Sequence, residues 1–122
     1  MLIRSVIMIA LVAAASSDVA LVQGAGNPVT GEKAYQACMG CHSLDDNDVG
    51  PKHRGVVGRR AGSVPGYNYS AVLKNSGIVW TPDNLDRWLQ GPQKLVPGAK
   101  MFFHIDDPKT RADIIAYLAT KK

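Results

Sequence analysis

The chain has 122 residues and a formal net charge of +4, with 46% apolar and 20% charged residues. This positive charge does not indicate nucleic-acid binding, because the basic residues are scattered among glycines without a recognition helix or stacking aromatics. The sequence contains no internal repeats and only two cysteines. A structural disulfide between them would close a very small loop and constrain the unfolded chain little.

The N-terminal residues have the pattern of an export signal. Met1–Arg4 is a short positive segment, and Ser5–Ala15 is an uncharged apolar stretch followed by small residues. Asp18 interrupts the apolar run before it reaches the stretch of about 20 residues that a membrane-spanning helix needs. We therefore predict a signal peptide over residues 1–25 and a single domain over residues 26–122. The cleavage point stays open, and an uncleaved membrane anchor is the alternative.

The first helix of the domain is predicted to begin at Thr30. Threonine is a good N-cap, and Glu32 follows in the first turn, where an acidic side chain suits the helix dipole. Tyr35 and Cys38 then lie on one face. The helix runs directly into the most informative segment of the chain.

That segment is Cys38-Met39-Gly40-Cys41-His42, which has the spacing of covalent haem attachment. On a helix, positions i, i+3 and i+4 share one face, so both sulfurs can bond one edge of the haem while His42 points at the iron. A buried macrocycle would also stabilise a domain of this size, in which an apolar core alone is marginal. We therefore predict one covalent haem c.

Two other uses of the cysteine pair are disfavoured. Zinc would need two more ligands, and His53 and His104, the only other histidines, stand at neither of the usual finger spacings. A thioredoxin-type redox disulfide would require the pair to open a helix inside a βαβ pattern, which this sequence lacks.

The segment after the motif is predicted to be mostly loop. Residues 45–63 contain closely spaced glycines, a pattern that indicates backbone passing close to something bulky. A short helix follows from about Ser70 to Asn75, and Gly77 is a suitable residue to end it.

Two amphipathic helices are predicted in the C-terminal half. The first begins at Thr81-Pro82 and ends at Gly91-Pro92, and the second begins at Asp107-Pro108. Both starts combine a capping side chain with proline at the first helical position. The positions expected to face the core are Leu85, Trp88, Leu89, Ile114, Ile115 and Leu118.

The second iron ligand is less clear from the residues. Candidates outside the attachment motif are Met101, His53, His104 and the lysines. Met101 follows a segment punctuated by proline and glycine, which could carry it across the haem face as a stiff loop. A methionine that merely fills a gap in the core is the alternative.

Five motifs follow one another between Thr30 and Leu118: GEKAYQACMGCH, GPKHRGVVGRRAG, PGYNYSAVLKNSGIVW, LQGPQKLVPGAKM and IIAYL. In this order they resemble a class I cytochrome c of the small soluble bacterial type, similar to mitochondrial cytochrome c. The resemblance implies an all-α haem domain whose N- and C-terminal helices cross, with Gly31 and Tyr35 near Tyr117.

The resemblance also implies roles for residues outside the attachment motif. Met101 would be the axial ligand opposite His42, and Pro51 would offer its carbonyl to the other ring nitrogen of His42. The residues implied to hold the haem propionates are Arg59, Tyr69 and Trp80.

Three positions depart from the family pattern. Trp88 replaces a tyrosine whose hydroxyl approaches the methionine sulfur, and Ala99 replaces a residue that often bears a hydroxyl. Both changes remove polar groups near Met101. His53 stands where leucine is common against the proximal imidazole. We expect its side chain to tilt toward the surface, and a pH-sensitive perturbation of that imidazole is the alternative.

The implied ligands predict the chemistry. Histidine on one side of the iron and a thioether on the other leave no open position for a substrate, and the thioether favours the ferrous state. We therefore predict a one-electron carrier, not an enzyme, with iron cycling between Fe(III) and Fe(II) as it shuttles electrons between redox complexes. Alternatives are a haem enzyme or gas sensor with a weak sixth ligand, and an electron-accepting subunit held in one dehydrogenase complex.

Location and partners follow from the cofactor and the charge. Covalent haem is matured outside the cytoplasm, so we expect a bacterial periplasmic protein, monomeric and without a stable membrane span. Lys94 and Lys100 flank the Met101 loop and would steer docking to an acidic redox partner, such as a quinol-oxidising complex, an oxidase, a reaction centre or a dehydrogenase. The acidic cluster at Asp45, Asp46 and Asp48 weakens this argument.

Overall fold

The computed structural model describes residues 26–122, so the predicted signal peptide lies outside the described part of the chain. Its helices are α1 (Pro28–Ala34), α2 (Ala71–Lys74), α3 (Pro82–Gln90), α4 (Pro92–Leu95) and α5 (Pro108–Ala119). Only Gly91 separates α3 from α4, and loops join the others. A 3₁₀ turn over Tyr35–Cys38 extends α1. Within residues 26–122 the only β pairing is an isolated bridge between Arg60 and Val79, and the predicted all-α class is confirmed.

Three of the predicted helix starts are confirmed. Thr81 and Asp107 each precede a proline and accept a hydrogen bond from a backbone N–H of the first turn, and the Ser70 hydroxyl caps α2 in the same way. Helix α4 was not predicted, because proline at position 92 ends α3 but also suits the first position of a new helix. None of the helices in the described range is long and apolar enough to cross a bilayer.

The predicted start of α1 at Thr30 is wrong. Asn27 caps the helix, because its side-chain oxygen accepts from the backbone N–H of Val29 at 2.8 Å and of Thr30 at 3.3 Å. Pro28 occupies the first helical position. The Thr30 hydroxyl instead donates to the Asp113 carboxylate on α5 at 2.9 Å. Two good capping residues stand three positions apart, and contact with α5 decides between them.

The first helix crosses the last one at a glycine, as predicted. Gly31 is buried, and a Cβ at this position would overlap the backbone carbonyl of Asp113. Just beyond it, Tyr35 is 2% exposed, and its ring centroid lies 5.2 Å from that of Tyr117. The backbone N–H of Asn27 donates to the Asp113 carboxylate at 2.7 Å, so a hydrogen bond also joins the start of α1 to α5.

Arg111 joins α5 to α3. It is 8% exposed, and its Nε donates to the Asp86 carboxylate at 2.7 Å while Nη1 donates to the carbonyls of Ile105 and Asp106, each at 2.9 Å. A buried guanidinium is tolerated here because these partners replace the water it loses. The two helices present a common apolar face, and all six predicted positions are buried: Leu85, Trp88, Leu89, Ile114, Ile115 and Leu118.

Candidate functional site

A cavity of about 430 Å³ lies between the cysteine motif, the loops that follow it and the apolar face of α3 and α5. Its volume is typical of sites that enclose a cofactor. Helices α3 and α5 supply an apolar wall. The eight residues predicted to hold the haem, its iron or the His42 ring all line this one cavity: Cys38, Cys41, His42, Pro51, Arg59, Tyr69, Trp80 and Met101.

The cysteine motif forms a helical turn, as its spacing predicts. The 3₁₀ turn ends at Cys38, whose carbonyl accepts from the backbone N–H of Cys41 at 3.2 Å and of His42 at 2.9 Å. Cys38 is half-buried and Cys41 is exposed. Burial raises the pKa of the Cys38 thiol to about 11, so that thiol is protonated at neutral pH in the protein without haem.

Backbone groups hold the His42 imidazole on two sides. Its Nδ1 lies 2.8 Å from the Pro51 carbonyl oxygen. Since a carbonyl can only accept, Nδ1 carries the proton and Nε2 keeps its lone pair. Gly50 packs so closely against the ring that a Cβ would overlap it. Burial lowers the pKa of His42, which favours the neutral form in which histidine binds metals.

The expectation that His53 tilts toward the surface is wrong. Its ring stacks on the His42 ring, with centroids 3.9 Å apart and planes inclined by 20°. Its Nδ1 lies 2.9 Å from the Tyr35 hydroxyl. Burial, followed by the influence of His42 and Arg59, lowers the pKa of His53 to about 3. His53 therefore packs as a neutral ring against the face of the His42 imidazole, and it lines the same cavity.

Arg59 provides a test of whether this cavity fits a haem. Its Nη1 donates to the Arg54 carbonyl at 3.3 Å and its Nη2 to the Lys52 carbonyl at 2.9 Å. Its Nε is buried without a hydrogen-bond partner among the described residues. Such a donor costs stability unless an acceptor on a ligand satisfies it. Apolar walls, two thiols and an unpaired guanidinium N–H together fit an apolar macrocycle that carries carboxylates.

The other two residues expected at the propionates lie at the same cavity. The Tyr69 hydroxyl accepts from the Val64 backbone N–H at 3.0 Å, so its own proton is not used in that bond and can be donated to another acceptor. Trp80 is 6% exposed and packs edge-on against Trp88, with ring centroids 5.1 Å apart. A phenol and an indole can each donate one hydrogen bond to a carboxylate.

The alternatives for the second ligand are placed differently from Met101, which is half-buried at the cavity. His104 is exposed, faces Asp106 at 3.5 Å, and is not among the described residues that line the cavity. His53 also lines the cavity, but its ring stacks on the His42 ring, so it is not placed opposite that ligand. Lys100 lines the cavity, but its Nζ donates to the Asn68 carbonyl at 3.2 Å. These placements favour Met101.

Comparison with known proteins assigns the fold to a family. A model of the family Cytochrome c matches residues 28–122. Cytochrome c2 of Rhodomicrobium vannielii is 45% identical over 119 residues, which cover 94% of this chain and 95% of the relative. Cytochrome c2 of Rhodopila globiformis is 52% identical over 101 residues, which cover 80% and 95%. The solved structure of cytochrome cH from Methylobacterium extorquens has a TM-score of 0.77 at 50% identity, covering 79% of this chain and 100% of that one.

The chain therefore belongs to the cytochrome c family and is a class I cytochrome c. Members of this family carry covalently bound haem c, and Cys38 and Cys41 have the attachment spacing. The protein is a haem-based electron carrier, like the cytochromes to which it is similar.

Proposed function

We propose that the protein is a periplasmic shuttle that carries one electron at a time between redox complexes. The observation that carries this proposal is the shared cavity, because both thiols, His42 and Met101 line a single apolar space. When bound, haem c supplies the reversible change between Fe(III) and Fe(II). His42 and Met101 would both hold the iron, which would leave no coordination position for a substrate.

Each residue of the site has a distinct role in this proposal. Cys38 and Cys41 hold the haem covalently, and His42 offers its Nε2 lone pair to the iron. The Pro51 carbonyl keeps the proton on Nδ1 and so makes the imidazole a stronger ligand. The propionates are held by donors from Arg59, Tyr69 and Trp80, of which Arg59 has a buried N–H without a partner among the described residues.

The apolar wall has a function of its own. Trp88 and Leu89 of α3 and Ile114 and Leu118 of α5 line the cavity and are buried. Their side chains exclude water from around the iron. A low dielectric and a thioether ligand both disfavour the more highly charged ferric state, so both raise the reduction potential.

Docking is proposed to occur where the cavity reaches the surface beside Phe102. Phe102 is 76% exposed and Phe103 is 44% exposed, and both line the cavity together with Lys100. Apolar side chains next to a positive charge suit a redox partner with an acidic docking surface. Lys94 is exposed but does not line the cavity, so it would act at longer range.

Met101→Ala tests the axial assignment. Without the thioether, the reduction potential should fall and the ferric iron should become high-spin or take another ligand, while both cysteines keep the haem attached. A redox titration and the methionine–iron absorption near the red end of the spectrum measure these effects. An unchanged spectrum and potential would show that another side chain is the ligand.

The export signal and periplasmic location are tested on the native product. Mass spectrometry of the haem protein from periplasm should show that it lacks a leader of up to 25 residues, and expression without residues 1–25 should yield chain without haem. Normal haem protein from the truncated gene would contradict the proposal. Gel filtration of native periplasm distinguishes a free monomeric shuttle from a subunit held in one dehydrogenase complex.

A further inference from the structure

One side chain, Gln93, ties the loop that carries Met101 to helix α4, and we propose that it keeps this loop closed over the haem. Gln93 is half-buried. Its Nε2 donates to the Ala99 carbonyl and, at 3.3 Å, to the Met101 carbonyl. Its Oε1 accepts from the Gly98 N–H at 3.3 Å. A single amide group thus uses both its donor and its acceptor on three residues of the loop.

The loop has little other backbone support near Met101. Its turn is closed by the Ala99 N–H, which donates to the Val96 carbonyl at 3.0 Å. In residues 26–122, the backbone groups of Gly98, Lys100 and Met101 make no hydrogen bond to other backbone groups. The Gln93 amide therefore supplies support that secondary structure gives elsewhere in the fold.

Helix α4, which carries Gln93, is anchored in the core at both ends. Pro92, directly before Gln93, is among the most deeply buried residues of the protein, and Val96 at the other end of α4 is 6% exposed. Ala99 is also buried, at 3% exposed, so the loop is seated in the core between its two ends. A glutamine anchored in this way holds the Met101 carbonyl at a fixed distance from α4.

The two positions at which the family often has a hydroxyl near the methionine, 88 and 99, supply none here to hold the loop. Ala99 has no polar side-chain atom, and Trp88 packs against Trp80 in the apolar wall. The inference rests on the proposed ligation of the iron by Met101, and it makes Gln93 a positioning residue for that ligand. When the loop opens, the thioether leaves and an external ligand can bind, so the affinity for that ligand reports how often the loop is open.

Imidazole binding to the ferric holoprotein tests the proposal, measured as loss of the methionine–iron absorption. We expect Gln93→Ala to raise the affinity for imidazole about tenfold, which corresponds to about 1.4 kcal/mol. Gln93→Glu should raise it at least as much, because a carboxylate still accepts from Gly98 but has no donor for the two carbonyls. The matched control is Gln90→Ala, which removes an exposed amide bonded to Asp86 on α3 and should leave the affinity unchanged.

The outcomes separate this inference from the function on which it rests. If ferric wild-type protein shows the methionine–iron absorption and Gln93→Ala binds imidazole like wild type, the role of Gln93 is refuted while Met101 ligation stands. If wild-type protein lacks that absorption, and Met101→Ala binds imidazole equally well, ligation by Met101 and the inference both fail.

A second measurement needs no variant. The Gly98 amide, bonded to Gln93 Oε1, should exchange its hydrogen more slowly in wild-type ferric protein than an unprotected amide of the same sequence. Exchange at the unprotected rate would refute the proposed closed loop even if the Gln93 variants fail to accumulate as holoprotein.

Discussion

Replacing Tyr35 by phenylalanine should remove the hydroxyl that hydrogen-bonds to His53, the residue whose ring stacks on His42. Tyr35 is 2% exposed, and its hydroxyl lies 2.9 Å from Nδ1 of His53, whose ring stacks on His42. Burial raises the pKa of Tyr35 to about 12, so the hydroxyl stays protonated at neutral pH. Phenylalanine keeps the ring and its contact with Tyr117, so the substitution removes little besides this hydrogen bond.

The magnitude follows from that one bond. A neutral hydrogen bond contributes about 1 kcal/mol net, and leaving a buried partner unpaired costs about 1–3 kcal/mol. We therefore expect Tyr35→Phe to lower the free energy of unfolding by about 1–2 kcal/mol. In a domain of this size each kcal/mol corresponds to a fall in Tm of about 4–8 °C.

Guanidinium unfolding of the holoprotein, followed by far-UV circular dichroism, measures the loss. A double-mutant cycle with His53→Leu isolates the bond, because in the His53→Leu background the hydroxyl of Tyr35 has already lost its partner. In that background Tyr35→Phe should be neutral or stabilising. A stabilising hydrogen bond between Tyr35 and His53 is excluded if Tyr35→Phe leaves the stability of the wild-type protein unchanged, or if it causes the same loss in both backgrounds.

Three further predictions concern the core, acid stability and docking. Ile114→Ala, at a side chain 1% exposed, should lower the free energy of unfolding by about 2–5 kcal/mol in guanidinium, and a loss under 1 kcal/mol would contradict its place in the core. The pKa of Asp113 is lowered to about 2, chiefly by the Asn27 N–H and Lys109. The ionised carboxylate therefore contributes fully to the free energy of unfolding above its ordinary pKa, and this contribution is lost as the pH falls through about 2. Asp113→Asn should therefore flatten the acid unfolding curve below about pH 4, and an unchanged curve would exclude this carboxylate as a source of acid sensitivity. Reversing the charge of Lys94 and Lys100 together should slow electron transfer to an acidic partner at low ionic strength, with the effect shrinking as the Debye length falls to about 10 Å near 0.1 M salt. Lys33→Glu on α1, which contributes no residue to the cavity lining, is the control, and equal slowing by it would argue against steering at the cavity mouth.

Several parts of this protein are determined by short stretches of sequence. The starts of α3 and α5 were predicted correctly because capping by Thr81 and Asp107 acts over three residues and needs no distant contact. The attachment motif is equally local, since a single helical turn brings Cys38, Cys41 and His42 to one side. Residues with such short-range causes can be identified from the sequence alone.

Other parts depend on which segments meet. Asn27 rather than Thr30 caps α1 because α5 presents Asp113 to the threonine hydroxyl. His53 faces inward because Tyr35, 18 residues earlier in the chain, supplies a hydroxyl to its Nδ1 while its ring stacks on His42. The sequence assigned no role to Gln93, because a glutamine on a short helix is ordinary until the loop folds back over it.

The division has a physical reason. A helix start or a cysteine spacing is determined by bonds between neighbours along the chain, which the amino-acid sequence specifies directly. A cavity exists only after α1, α3 and α5 have packed, and the direction of a side chain near it depends on the partners that packing supplies. The kind of cofactor and the class of fold could therefore be predicted from short-range patterns, whereas the directions of His53 and Gln93 toward the expected iron ligands arise from contacts between distant segments.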